Sequence, residues 1–201
     1  MVKDGYYFLI PPLMLVILFV YLEILWLVVC FLLVSGFVAC FFRDPERKIP
    51  ADPNAIVSPA DGKIILLEQD EQGTALSIFL SVFDVHVNRA PVNGLILSQE
   101  YRPGRFRIAC DSRASIENEQ VVMTIGERRT ITLSLIAGIL ARRIQLWKKK
   151  GDQVRKGDKI GFIRFGSRVD VFLPADCQPF VDKGDRVCGG TSIIAYWKEV
   201  S

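Results

Sequence analysis

GDQVRKGDKI, residues 151–160, recurs 33 residues later as GDRVCGGTSI, residues 184–193. Each copy has the pattern of a Gly-Asp turn, an inward-facing valine, a second glycine turn and then a strand. The segment Ser58–Ile64 has the pattern of a first strand that matches the repeat. The repeat therefore predicts a β-rich unit built from a duplicated element.

After its charged connector at residues 43–53, the chain consists of short strand-like segments. The sequence predicts no convincing long helix in this part. Gly, Pro, Asp and Asn separate these segments at intervals of roughly ten residues, a spacing typical of a sandwich or barrel. The predicted strands are Lys63–Glu68, Ala75–Phe83, Leu95–Tyr101, Gln120–Ile125, Thr130–Leu135, Lys159–Arg164, Arg168–Leu173 and Thr191–Tyr196.

The duplicated element resembles the barrel-sandwich hybrid of biotinyl and lipoyl domains, which present a modified lysine at the connection between two repeats. Residues 165–169 fall at that connection here, and they hold Gly166-Ser167 instead of a lysine flanked by methionines. We therefore expect a mostly β, barrel-sandwich hybrid-like domain whose exposed tip carries different chemistry.

The N-terminal part of the chain is strongly apolar. Tyr6–Phe42 spans 37 residues with Glu23 as its single charged residue. One helix of that length would measure about 55 Å, against a hydrocarbon core of roughly 30 Å. A helical hairpin broken near Glu23 is the natural interpretation, and a single tilted span is the alternative. A cleaved signal peptide is disfavoured because the region is too long and lacks a small-residue cleavage site.

Basic residues flank both ends of the apolar stretch. They are Lys3 before it and Arg43, Arg47 and Lys48 after it. A hairpin would place all of them on the cytoplasmic side, in agreement with the positive-inside bias. The sequence therefore predicts a membrane anchor at 1–42 and a β-rich domain at 43–201, held at the cell membrane on its cytoplasmic side.

Cysteine usage and charge exclude several classes of protein. The five cysteines show neither disulfide nor metal-ligand spacing, so we expect reduced thiols and no metal. A net charge of +3 is too small to argue for a nucleic-acid partner.

A basic strip surrounds Trp147, and it consists of Arg142, Arg143, Lys148, Lys149 and Lys150. Contact with anionic headgroups and a solvated loop are equally open interpretations of this strip.

Gly166-Ser167 carries the most specific chemistry. The serine hydroxyl can attack its own preceding carbonyl, and elimination of the resulting ester turns the serine into a dehydroalanine and then a pyruvoyl group. Such an electrophile supports decarboxylation without pyridoxal phosphate. An ordinary β-turn is the plain alternative for a Gly-Ser pair taken alone.

His86 is the single histidine of the chain, in a segment with strand-like alternation that turns it away from Val85 and Val87. A lone histidine in a strand is more often structural, yet few other side chains here can exchange a proton near neutral pH. Asp61, in an Asp-Gly turn, could fix the tautomer of His86, which could activate Ser167. A structural turn is the alternative for Asp61.

Six motifs in order resemble the short form of phosphatidylserine decarboxylase. They are Phe42–Arg47, Ser58–Gly62, Phe83–Arg89, Tyr101–Gly104, Ile136–Ile144 and Arg164–Asp170. The resemblance implies a membrane-bound enzyme that cuts itself before Ser167 into a β chain, 1–166, and an α chain, 167–201, which form a heterodimer. It also implies that Ser167 becomes the pyruvoyl cofactor, that Asp61 and His86 form the acid/base pair, and that phosphatidylserine yields phosphatidylethanolamine through a Schiff base.

One departure from the family pattern concerns Arg89, which aligns with the second histidine of the long forms. His86 then serves both self-cleavage and decarboxylation, or Arg89 takes a substrate-binding role. Arg89, Arg164 and Arg168 are candidates for binding phosphate or carboxylate, and ordinary ion pairs are the alternative for each. Further oligomerisation and the ester or ether linkage of the lipid stay open. The competing functions are a membrane-tethered module without catalysis and a pyruvoyl decarboxylase acting on a related serine lipid or an amino acid.

Overall fold

The computed structural model describes residues 1–105, 107, 114–138, 144–164 and 166–198. Strand residues make up 41% of the structure and helical residues 21%, so the mostly β class predicted from the sequence is confirmed. The chain divides into two compact units, Met1–Glu46 and Arg47–Ser201. The boundary lies four residues after the one predicted from composition.

The first unit consists of two apolar helices. Helix α1 (Asp4–Tyr21) and helix α2 (Leu25–Phe41) are joined by a short turn in which Glu23 has a φ of 58°. The helices run antiparallel, because Phe19 stacks on Phe31 with 5.5 Å between ring centroids and Phe8 stacks on Phe42 at 5.2 Å. By length and composition α1 could cross a membrane, whereas α2 is one residue shorter than a helix that meets the same test.

The described residues of the second unit form the strands and one short helix, α3 (Ala114–Glu117). The strands are β1 (Ala55–Val57), β2 (Gly62–Gln69), β3 (Gly73–Leu80), β4 (Val87–Arg89), β5 (Gly94–Arg102), β6 (Gln120–Gly126), β7 (Thr130–Ala137), β8 (Ile144–Leu146), β9 (Gln153–Val154), β10 (Lys159–Ile163), β11 (Ser167–Pro174), β12 (Cys177–Pro179), β13 (Arg186–Val187) and β14 (Ile193–Trp197).

Within the described ranges these strands form three sheets. The largest has the order β13-β2-β3-β11-β7-β6-β5-β9, and the two smaller ones are β1-β14-β12 and β4-β10-β8. The sheets do not close into a barrel, so the barrel element of the predicted architecture is absent from this part of the chain. The buried core lies on the inner face of the large sheet, where β7 contributes Ile131, Leu133 and Leu135 at alternate positions.

The structure gives both copies of the sequence repeat the same arrangement. Strands β9 and β13 are two-residue strands with buried valines, Val154 and Val187, and each is followed by a turn and a five-residue strand. Strand β9 pairs with β5, and β13 pairs with β2. The connection between the two copies contains β11, which lies in the middle of the large sheet.

Candidate active site

Ser167 begins β11 and is completely buried. It lies between two neighbouring strands, opposite Leu80 at the end of β3 and Ala137 at the end of β7. Its Oγ has no hydrogen-bond partner among the residues that the structure describes. The preceding Gly166 has a φ of 54°, a left-handed conformation that glycine adopts without steric cost. Phe165, the first residue of the predicted connection at 165–169, lies outside the described residues.

The loop that follows β3 is organised by the carboxylate of Asp84. Its Oδ2 accepts hydrogen bonds from the backbone nitrogen of Ser81 at 2.8 Å and from the Ser81 hydroxyl at 2.7 Å. Its Oδ1 lies 3.2 Å from Nη1 of Arg186. This carboxylate ends β3 at Leu80, three residues before the predicted end, and fixes the loop that carries His86.

His86 is completely buried just before β4. Its Nδ1 lies 2.9 Å from the backbone carbonyl oxygen of Asp84. A carbonyl oxygen only accepts, so Nδ1 carries the hydrogen and Nε2 of the neutral ring keeps a lone pair for a proton. The His86 carbonyl accepts a bond of 3.3 Å from the nitrogen of Ile163, at the end of β10. The connections that carry His86 and Ser167 therefore lie at the same end of the sheets.

Asp61 lies in the turn between β1 and β2, with both carboxylate oxygens engaged. Nη2 of Arg47 donates to them at 2.9 and 2.7 Å, and the backbone nitrogen of Gly189 donates to Oδ1 at 2.7 Å. Among the described contacts, Asp61 makes no hydrogen bond with His86. The carbonyl of Asp84 holds the ring nitrogen that Asp61 was predicted to hold. A part for Asp61 in the chemistry stays a prediction.

Arg89 and Arg164 lie on the elements that lead to and from the site. Arg89 is buried at the end of β4, and its Nη1 donates to the carbonyl oxygen of Gly157 at 2.9 Å. Its backbone nitrogen donates to the carbonyl of Pro59 at 2.8 Å. Arg164 is half-buried, three residues before Ser167. Substrate binding by either guanidinium stays a prediction.

Arg168 is buried within β11 beside Ser167. Its Nε donates to Asp170 at 2.5 Å and its Nη2 donates to the Ser77 hydroxyl at 2.7 Å. Successive side chains of a strand point to opposite faces, and Val169 lies in the core on the face that Ser167 shares. The Arg168 side chain therefore lies on the other face of the sheet from the Ser167 hydroxyl. Substrate binding by Arg168 also stays a prediction.

The described part of the basic strip borders an open groove. Lys149 and Lys150 are exposed, and with Tyr101, Val121 and Leu146 they line a cavity of about 560 Å³. Trp147 stacks on Phe162, with 6.4 Å between ring centroids, so it packs against the domain. Lys148 is half-buried, and Arg142 and Arg143 lie outside the described residues.

The buried cysteine does not supply a nucleophile at neutral pH. Burial raises the pKa of the Cys177 thiol to about 12, with a smaller contribution from the charge of Asp176. The thiol is therefore protonated under physiological conditions, and only a thiolate reacts readily. Cys110 lies outside the described residues.

Two contributions to the site were missed in the sequence. Asp84 has a detectable signal, because in the pattern of a serine followed three positions later by an acidic residue the acidic side chain reaches back to the serine's backbone nitrogen. Arg47 has no such signal, because its partner Asp61 lies on a separate element and only folding joins them. In the sequence Arg47 stood out only as a flanking charge of the apolar stretch and as the last residue of the motif Phe42–Arg47.

Comparison with known proteins gives a consistent result. A family model described as phosphatidylserine decarboxylase matches residues 34–195. A phosphatidylserine decarboxylase proenzyme of Cupriavidus pinatubonensis is 44% identical over 177 residues, covering 84% of this chain and 82% of that protein. Proenzymes of the same name from Desulfotalea psychrophila and Solibacter usitatus are 45% and 47% identical, each covering 82% of this chain and 81% and 80% of their own lengths.

Proposed function

We propose that this chain, which belongs to the phosphatidylserine decarboxylase family, converts phosphatidylserine to phosphatidylethanolamine with a pyruvoyl group made from its own Ser167. The observation that carries this proposal is the placement of Gly166-Ser167. A buried hydroxyl follows a glycine in the left-handed conformation, at the end of the sheets where His86 also lies. The family match includes this segment.

The arrangement is suited to self-cleavage. The Ser167 Oγ would attack the carbonyl carbon of Gly166, and the Ser167 nitrogen would leave as an amine, so that an ester replaces the peptide bond. Removal of the Ser167 α-proton would then expel the Gly166 carboxylate and leave a dehydroalanine. Addition of water and loss of ammonia would complete the pyruvoyl group at the start of the α chain, 167–201, with the β chain ending at residue 166.

His86 is the base that this sequence of steps requires. Its Nδ1 is committed to the Asp84 carbonyl, so Nε2 is the nitrogen that would accept the hydroxyl proton of Ser167. Complete burial keeps competing water away from the ester, which favours elimination over hydrolysis. Asp61 lies in the turn whose Pro59 carbonyl accepts a hydrogen bond from the backbone nitrogen of Arg89 in β4, and it would contribute its negative charge to the same site.

The finished group would supply a carbonyl that condenses with the amine of the serine headgroup and withdraws electrons as carbon dioxide leaves. The residues of this chain would bind and orient the lipid. Arg89 and Arg164, near His86 and Ser167 along the chain, are the proposed ligands for phosphate or carboxylate, with Arg168 as a further candidate. The α and β chains would stay together because β11 is paired on both sides within the large sheet.

A membrane location fits the substrate. The apolar helices of the first unit could anchor the enzyme, with the β-rich unit on the cytoplasmic side. Lys149 and Lys150 would meet anionic headgroups. In this arrangement a phospholipid reaches the site without leaving the bilayer surface.

The mass of the expressed protein tests self-cleavage. We expect two chains, 1–166 and 167–201, with the α chain blocked to Edman sequencing. Ser167→Ala should remain a single chain, whereas the control Ser134→Ala, on the neighbouring strand β7, should cleave normally. A wild-type protein that stays intact would contradict the proposal and favour a membrane-tethered module without catalysis.

The substrate is tested with processed enzyme and lipid vesicles. Phosphatidylserine should yield phosphatidylethanolamine without added pyridoxal phosphate or metal, and hydroxylamine should abolish the activity. An ether-linked serine lipid and free serine are the comparison substrates. Equal activity on free serine would contradict the membrane argument, and no activity of the cleaved protein on either serine lipid would refute the assignment.

A further inference from the structure

The second unit contains an internal duplication that includes Asp61. Residues 58–64 precede and begin β2, and residues 90–96 precede and begin β5 in the same way. The two halves form equivalent backbone hydrogen bonds. The nitrogen of Gly190 donates to the carbonyl of Ser58 at 2.7 Å, and the nitrogen of Gly157 donates to the carbonyl of Ala90 at 2.8 Å. The position equivalent to Asp61 is therefore Asn93.

Asp61 and Asn93 perform the same structural task. Oδ1 of Asp61 accepts a hydrogen bond from the backbone nitrogen of Gly189 at 2.7 Å. Oδ1 of Asn93 accepts one from the backbone nitrogen of Lys156 at 2.8 Å, and Lys156 is the repeat equivalent of Gly189. A neutral amide oxygen thus suffices to hold this turn, and the negative charge of Asp61 is not needed for it.

The charge of Asp61 has a different partner. Nη2 of Arg47 contacts both carboxylate oxygens, and the two side chains are each 12% exposed. Removing one partner from such a pair leaves a nearly buried charge without compensation, whereas removing both charges together costs far less. The turn is also joined to β4, since the nitrogen of Arg89 donates to the carbonyl of Pro59. Strand β4 begins one residue after His86.

We infer that Arg47 is a positioning residue for self-cleavage, which acts solely by holding the carboxylate of Asp61 in place. This inference rests on the proposed function, in which Asp61 supports the chemistry at Ser167. Arg47 pairs with Asp61 in one half of the duplication. In the other half the equivalent residue is Asn93, which has no charge for an arginine to hold. The hydrogen bond that both halves share and the charge that only Asp61 adds are separable by mutation.

A double-mutant cycle tests the inference in the full chain, by pulse–chase measurement of cleavage after synthesis into membranes. We expect Arg47→Gln to slow cleavage at least about tenfold, and Arg47→Lys to recover part of the rate because it keeps the charge but loses the planar fork. Asp61→Asn should slow cleavage at least as much as Arg47→Gln. The double variant should be no slower than Asp61→Asn, since Arg47 then has no carboxylate to hold.

Folding is measured separately, in the uncleavable Ser167→Ala background. The double variant should unfold within a few degrees of its parent, because Asn93 shows that an amide holds the turn. Asp61→Asn alone should unfold at a lower temperature than the double variant, because it leaves the charge of Arg47 without its partner. Arg129→Gln is the matched control, since this arginine pairs with Asp176 away from the site. It should leave the cleavage rate unchanged.

The outcomes separate the inference from the function on which it rests. Normal cleavage of Arg47→Gln, or losses that multiply in the double variant, would overturn the role of Arg47 while self-cleavage stands. Normal cleavage of Asp61→Asn alongside a slow Arg47→Gln would also overturn it, because Arg47 would then act by another route. A wild-type chain that never cleaves would overturn both.

Discussion

At the scale of single residues, the tautomer of His86 is fixed by the backbone carbonyl of Asp84, whereas the sequence predicted that the carboxylate of Asp61 would fix it. The Asp84 carbonyl fixes the ring of His86, while the Asp84 carboxylate fixes the loop. The carbonyl and the carboxylate of Asp84 thus set the tautomer and the position of His86. Because the carbonyl is neutral, it orients the ring without adding a negative charge next to it.

Replacement of His86 tests the assignment of the base. His86→Gln can still donate an amide hydrogen to the Asp84 carbonyl, so we expect it to fold, but it lacks a basic nitrogen. Self-cleavage should slow by about 10²-fold or more, the usual contribution of general base catalysis. The measurement is the rate of chain cleavage on a denaturing gel. Wild-type kinetics in this variant would show that another group removes the proton.

A second prediction concerns Cys177, whose pKa burial raises to about 12. The unfolded thiol loses its proton from about pH 8.5 upward, whereas the folded thiol keeps it. The unfolded state then binds fewer protons, so the free energy of unfolding falls as pH rises from about 9 toward 12.

Cys177→Ala should lose less stability over this range in urea titrations. The control Cys188→Ala, at an exposed thiol, should follow the wild type. Identical slopes for all three proteins would contradict the buried-thiol explanation.

At the scale of elements, the start of β5 depends on a close approach of two backbones. A Cβ placed on Gly94 would lie 2.6 Å from the Cα of Gly126, in the paired strand β6, and the Gly94 φ is 145°. Backbone atoms cannot move aside cheaply, so Gly94→Ala should destabilise the fold by roughly 3 kcal/mol or more. Gly184→Ala, where φ is 105° and no atom lies within 4 Å, should cost only about 1–2 kcal/mol of strain. Urea denaturation of Ser167→Ala proteins measures both, and equal losses would contradict the steric argument.

The elements themselves were largely predictable from the sequence, because turn glycines and alternating strands are local signals. The repeat correctly predicted that Val154 and Val187 face inward and that a strand, β10 or β14, follows each of them. The end of β3 was predicted too late, since the bond from Ser81 to Asp84 interrupts an apolar run. The pairing of Arg47 with Asp61 joins residues from separate elements, and periodicity carries no information about such contacts.

At the scale of the whole molecule, sheet closure was the feature that the sequence predicted least well. A duplicated strand pattern is compatible with a closed barrel and with open sheets, because closure depends on strand tilt and long-range register. Here the two copies add their short strands, β9 and β13, at opposite edges of one eight-stranded sheet. Strand β11 lies between them, which places Ser167 inside the sheet instead of on an exposed tip.

Removal of residues 1–42 tests the membrane anchor. These residues contain α1 and α2, whose apolar side chains are mostly exposed in the first unit, whereas the second unit has a core of its own. The truncated chain should therefore leave the membrane fraction, apart from binding through Lys148–Lys150 that disappears at high salt because ions screen it. Sedimentation with vesicles at low and high salt measures this. As a control, full-length protein with Lys149→Gln and Lys150→Gln should still sediment at high salt, since burial of the helices in lipid is insensitive to ions. A truncated chain that sediments at high salt would place the anchor elsewhere and contradict the assignment of the first unit.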